Sequence, residues 1–121
     1  MPLRVGIDLV KVATITAALA EHGDRYLERV YTAGERAQCQ GDALRLAARF
    51  AAKEATMKVL APKSGDPLPW TSIEVIRRTD AAPEIALHGP AAALAQNAGI
   101  TALALSFSHE DEYAAAVVVG T

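Results

Sequence analysis

The chain has 121 residues, a formal net charge of −2, and a hydrophobic half built from alanine and aliphatics with only 5 % aromatic residues. That length suits one domain over residues 1–121 with a real core, and the charge gives no general attraction to nucleic acid or an anionic membrane, so any basic site must be local. Cys39 is the only cysteine; this excludes an internal disulfide and a thiolate metal centre and fits a reducing, cytoplasmic setting.

Leu3 to Val10 reads as a buried strand interrupted by one charge, Asp8, near its end. A carboxylate in such a run is costly unless hydrogen bonds or a cation compensate it. Thr14–Glu21 and Asp24–Val30 read as helices, the second capped by Asp24, and Thr32 with Glu35 has capping-box spacing for a third. The longest element runs from about Asp42 to Leu60, rich in alanine, free of Gly and Pro inside, and stopped by Pro62. On it Leu46, Phe50, Met57 and Ala61 form one apolar stripe, with Glu54 and Lys58 along one margin and Lys53 near the other. On spacing alone, Glu54 and Lys58 are an i,i+4 surface pair worth a few tenths of a kcal/mol.

Lys63 to Pro69 is a loop, and Trp70 with Ile73–Ile76 begins a strand whose antiparallel partner is Glu84–His88. Gly89-Pro90 opens an alanine-rich helix to about Asn97, closed by Gly99. Ile100–Ser108 and Tyr113–Val119 are strands joined by Glu110-Asp111-Glu112 as a hairpin. On the first, Leu103, Leu105, Phe107 and His109 share one face, with His109 at the margin of the core. Residues 85–108 carry no Asp, Glu, Lys or Arg, yet His88, Gly89-Pro90, Gln96-Asn97 and Gly99 divide them into soluble elements, not a membrane span. The fold class is α+β: a small antiparallel sheet with the long helix packed on it.

Three separated stretches share one resemblance. Gly6-Ile7-Asp8-Leu9-Val10, Arg49-Phe50-Ala51-Ala52-Lys53-Glu54-Ala55-Thr56-Met57-Lys58 and Ser106-Phe107-Ser108-His109-Glu110 resemble the holo-acyl-carrier-protein synthases, the small 4′-phosphopantetheinyl transferases. The likeness extends over the whole chain. It implies transfer of the phosphopantetheine arm of coenzyme A to a serine of an apo acyl carrier protein, with release of adenosine 3′,5′-bisphosphate. It also implies a homotrimer with active sites at the subunit interfaces.

By the same resemblance, Asp8 and Glu54 are the protein ligands of Mg²⁺, and Lys58 contacts phosphate and stabilises or protonates the leaving group. Glu54 is a base for the serine, directly or through a metal-bound water. Arg49 and His109 hold the phosphates and nucleotide of coenzyme A. Lys53, Ser106 and the backbone at Ser64-Gly65 complete the coenzyme contacts, although Pro62 and Lys63 depart from the usual glycine-rich loop. A second departure concerns the partner: Lys11 and Thr14 stand where the family usually carries an acidic residue and the arginine that docks the carrier's acidic helix. Two alternatives share the fold, a transferase specialised for a polyketide or fatty-acid synthase carrier domain and a non-catalytic coenzyme A-binding subunit. Retention of Asp8, Glu54, Lys58 and His109 together argues against the second.

Overall fold

A long helix laid across a three-stranded antiparallel sheet positions everything else. The computed structural model describes residues 3–121. Strand β1 (Arg4–Lys11) leads into α1 (Val12–His22), α2 (Asp24–Val30), α3 (Ala33–Cys39) and the long α4 (Ala43–Leu60). A 3₁₀ turn (Trp70–Ser72), β2 (Ile73–Ile76), β3 (Glu84–Leu87), α5 (Gly89–Asn97), β4 (Leu103–His109) and β5 (Tyr113–Gly120) follow. The main sheet has the order β1-β5-β4, and β2 with β3 forms a separate antiparallel pair. This is the expected α+β class. The second small sheet is an addition to the single one expected.

Local chemistry sets the element ends. The Asp42 carboxylate accepts from the amides of Leu44 at 2.9 Å and Arg45 at 3.3 Å, and so caps α4. Ala61 leaves the helix in the left-handed region at φ 49°, immediately before Pro62. At α3 the capping box is complete: the Thr32 hydroxyl accepts from the Glu35 amide, and Glu35 accepts from the Thr32 amide. The expected cap at Asp24 is not there. Gly23 takes the N-cap position at φ 54°, and Asp24 is the first helical residue.

Two expectations about burial change. The helix α4 is buried almost all round, because the sheet, α1 and the β2–β3 pair enclose it. Ala47, Ala48, Ala51, Ala52 and Ala55 are buried along with Leu46, while Phe50 and Met57 are only half-buried and Ala61 is exposed. Alanine makes this possible, since short side chains let elements approach from several sides. The strand β1 is the reverse case. Its even positions face α4, whereas Leu3, Val5, Ile7 and Leu9 are 72, 66, 64 and 65 % exposed. The alternation usual in a half-buried strand is present, but the apolar row looks outward.

The close approach of β1 to α4 depends on a missing side chain. A Cβ built on Gly6 would stand 2.1 Å from the carbonyl oxygen of Ala55. Gly120 does the same at the far end of the helix, where a Cβ would lie 2.6 Å from Val59 Cγ1. Among the described residues no helix is long and apolar enough to cross a membrane.

Candidate active site

Gly6 brings β1 against α4, and two residues later in the same strand Asp8 arrives beside Glu54 and Lys58. Lys58 Nζ lies 3.4 Å from Asp8 Oδ1 and donates to the Ile7 carbonyl at 2.6 Å. Asp8 Oδ2 is buried and accepts no hydrogen bond. Burial, reinforced by Asp8 and opposed by Lys58, pushes the Glu54 carboxyl up from 4.5 to about 7. Two carboxylates on a partly desolvated corner with one unpartnered oxygen are a site short of positive charge.

A hard divalent cation fits that donor set. No cluster of three or more His, Cys, Asp or Glu suited to a metal occurs among the described residues. An ion held here would take its protein oxygens from Asp8 and Glu54, a hard donor set of the kind magnesium favours.

The structure overturns the expectation for Lys53. It is fully buried, and its ammonium lies 2.7 Å from Glu35 Oε1, also fully buried. It donates to the Trp70 carbonyl at 3.0 Å and to the Ile73 carbonyl as well. Glu35 meanwhile receives the amides of Thr32 at 2.9 Å and Val75 at 2.8 Å. Burial lowers the Lys53 pKa, with Glu35 opposing. With three donors occupied and no exposed surface, Lys53 joins α4 to α3 and β2 and offers nothing to a coenzyme. Lys53 stands three positions from Phe50 and four from Met57 of the apolar stripe, but a margin position means little on a helix buried almost all round.

On the other flank of α4 lies a cavity of about 340 Å³ lined by Arg49 and His109 together with Gln38, Arg45, Arg77 and Phe107. Arg49 is only 6 % exposed, and its Nε has no hydrogen-bond partner. The strand register explains why this cavity and the carboxylates are apart. Asp8 and Phe107 both pair with Ala116 of the central strand β5, so they occupy one row on either side of it. Their Cα atoms are therefore separated by about two strand spacings, roughly 9.6 Å, with α4 running between. Glu54 and Lys58 face the β1 side, and Arg49 faces the β4 side.

The remaining expected residues sit elsewhere. Ser106 is exposed on the opposite face of β4 from Phe107, so one chain does not bring it to His109. His109 itself is exposed and not at a core margin. Gly65, at φ 90°, lies in the loop after α4, where Lys63, Asp66, Arg4 and Pro90 line a second cavity of about 550 Å³. Arg77 has no signal of its own in the sequence, and Arg45 reads there only as one of several scattered basic residues; the fold places both with Arg49. Cys39 is buried, and that burial pushes its thiol up to about 11, which leaves it unreactive.

Comparison with known proteins gives a consistent set of relatives. The family model described as the 4′-phosphopantetheinyl transferase superfamily matches residues 4–118. The holo-[acyl-carrier-protein] synthase of Koribacter versatilis is 42 % identical over 122 residues, covering 98 % of each chain. That of Chloroflexus aurantiacus is 44 % identical over 133 residues, covering 94 % of each. Among solved structures, Helicobacter pylori holo-[acyl-carrier-protein] synthase in complex with coenzyme A superposes with a TM-score of 0.87 at 30 % identity, over 98 % of this chain and 100 % of that one.

Proposed function

The chain belongs to the 4′-phosphopantetheinyl transferase superfamily, and on that premise we propose that it moves the 4′-phosphopantetheine of coenzyme A onto a serine hydroxyl of an apo acyl carrier protein. The serine oxygen forms a bond to the phosphorus that bears pantetheine. The pyrophosphate P–O bond breaks, and adenosine 3′,5′-bisphosphate leaves. The observation that carries this reading is the convergence of Asp8, Glu54 and Lys58 from β1 and α4 around an unpartnered carboxylate oxygen.

Asp8 and Glu54 would hold Mg²⁺, which would neutralise pyrophosphate charge as a Lewis acid. The Lys58 ammonium is half-exposed and anchored to the Ile7 carbonyl, so it meets an arriving phosphate at a fixed position. Its charge matters most as the leaving phosphate gains charge. Glu54, whose carboxyl ordinarily favours the proton more than a free glutamate does, is suited to take the serine proton near neutral pH. Arg49 and His109 take the nucleotide end of the coenzyme.

The two halves of this chemistry occupy opposite flanks of α4, which supports a site completed between copies of the chain. The outward row Leu3, Val5, Ile7 and Leu9 supports the same reading, since a strand face this apolar is normally covered. The assembly is a homotrimer, by the family resemblance. Incubation with coenzyme A, Mg²⁺ and a panel of apo carrier proteins, read by intact mass, is the direct test. A gain of one phosphopantetheine that disappears in excess chelator and in Asp8→Asn supports the proposal; no gain on any carrier defeats it.

A further inference from the structure

Tyr26 on α2 and Tyr31 just beyond it meet edge to face beside α4. Their ring centroids are 5.6 Å apart at 76°, and their hydroxyl oxygens lie 2.9 Å apart. Tyr31 is 1 % exposed, and its hydroxyl donates to the Leu46 carbonyl at 3.0 Å. The Lys53 ammonium stands 5.9 Å from the centroid of the same ring and helps to fix it. A hydroxyl has one proton, and a carbonyl can only accept. The Tyr31 proton is therefore committed to Leu46, so Tyr26 must donate the bond between the two rings. That leaves Tyr26, which is half-buried, with lone pairs and no proton to offer on its open side.

This acceptor lies near the carboxylate corner. Helical bonding sets the Leu46 carbonyl level with Phe50. Glu54 stands one turn further along the same face, roughly 5.4 Å, with its side chain tilted back toward Phe50. The Tyr26 oxygen is two hydrogen bonds from that carbonyl. Burial raises the Tyr26 pKa most, Tyr31 offsets part of the rise, and the charge of Glu54 adds to it, so the two groups are within electrostatic reach. Phe50 and Trp70, both half-buried with centroids 5.0 Å apart, form an apolar wall on the same stretch.

An acceptor-only hydroxyl and an aromatic wall, one turn from the corner assigned to phosphate, fit the chemistry next to the reacting phosphorus of coenzyme A. The pantoyl group begins at that phosphate: a quaternary carbon with two methyl groups comes first, then a carbon with a secondary hydroxyl. Resting on the transferase reading, we propose that Tyr26 is a binding residue that accepts from the pantoyl hydroxyl while the paired methyl groups lie against Phe50 and Trp70. Tyr31 is the positioning residue that keeps Tyr26 an acceptor. Together they select a donor at this position of the coenzyme.

The test compares coenzyme A with two analogues, one lacking the pantoyl hydroxyl and one with it oxidised to the ketone, in transfer to one apo carrier protein. Wild type should show the lowest KM for coenzyme A and the highest for the ketone, which sets acceptor against acceptor. Tyr26→Phe should raise KM for coenzyme A about fivefold, the loss of one hydrogen bond, and erase its advantage over the deoxy analogue. The KM for the carrier should not move. Tyr31→Phe frees the Tyr26 proton, so the ketone should overtake the deoxy analogue, a reversal that loosened packing alone does not produce. Equal wild-type KM for coenzyme A and the deoxy analogue would overturn the proposal. So would a Tyr26→Phe effect confined to the carrier KM, which would give this edge to the carrier, or the wild-type ranking retained in Tyr31→Phe. Calorimetric binding of the three compounds in the stated order, without transfer to any carrier, would leave the subsite standing and remove the transferase reading alone.

Discussion

Lys53 and Glu54 are adjacent on α4 and live in opposite circumstances. Lys53 is fully buried, with a carboxylate and two backbone carbonyls on its ammonium. Glu54 faces a half-open corner where Asp8 repels it and one oxygen of Asp8 has no partner. A charged group whose hydrogen bonds are all met inside the protein holds the fold together. One left short of partners is available to a ligand. Burial alone does not distinguish the two, since both are desolvated; the count of satisfied donors and acceptors does.

The contrast breaks most severely at Lys53. Lys53→Ala leaves Glu35 charged and buried without its cation and should cost about 3–5 kcal/mol, read from urea unfolding. Lys53→Met combined with Glu35→Gln, which removes both buried charges and keeps an acceptor for one of the Thr32 and Val75 amides, should cost less than Lys53→Ala. If the single variant unfolds at the wild-type urea midpoint, the pair is not structural.

Gly6→Ala attacks the other side of the comparison. Its new methyl meets a backbone carbonyl that cannot rotate away, and overpacking of this kind costs about 1–3 kcal/mol. The displacement of Asp8 from Glu54 should reduce transfer by on the order of a hundredfold, more than the stability loss explains. Asp8→Asn should instead abolish transfer at nearly unchanged stability. Full activity in Gly6→Ala would show that the strand–helix spacing is not what aligns the carboxylates.

Titration sharpens the contrast at a smaller scale. The Glu54 pKa is raised in the fold, from 4.5 to about 7, so the native state binds the extra proton. Its stabilising contribution is full below about pH 4.5 and is lost as pH rises through about 7. Melting temperature of metal-free protein should therefore fall across that window, Mg²⁺ should restore it at the upper end, and Glu54→Gln should flatten both responses. A Glu54→Gln profile identical to wild type would assign the effect to another group.

The smallest expected effect belongs to a position that is neither buried nor paired. Thr14 is exposed on α1. Thr14→Arg should tighten binding of an acidic carrier protein by up to about 1 kcal/mol, appearing in the carrier KM, not in that of coenzyme A, and fading at high salt. Equal carrier constants at low and high salt would mean that docking does not use this edge of α1.

Much of this was legible because it is local. Asp42, Thr32 with Glu35, and Pro62 mark helix ends within four residues of themselves, and those boundaries agree with the structure. The family motif likewise marks Asp8, Glu54 and Lys58, which the fold does bring together. The environment of Lys53 is not legible in sequence, because its partners Glu35, Trp70 and Ile73 are 17 to 20 residues away and belong to other elements. The arginine cavity is hidden for the same reason: Arg45, Arg77 and Gln38 meet Arg49 through tertiary packing. The exposure of β1 runs against ordinary patterning, since its apolar positions alternate as a core-facing strand's do and yet face outward.

The division of charge across α4 has a genetic corollary. One flank carries the carboxylates and Lys58, the other the arginines. Where a working site draws one flank from each of two neighbouring copies, two different inactive alleles need not be equivalent to two copies of one. A chain defective in Asp8 and a chain defective in Arg49 each bring one intact flank, so mixed oligomers regain sites that neither pure population contains. Co-expression of the pair should rescue transfer partially, whereas pairing Asp8 and Lys58 defects, which spoil the same flank, should rescue nothing.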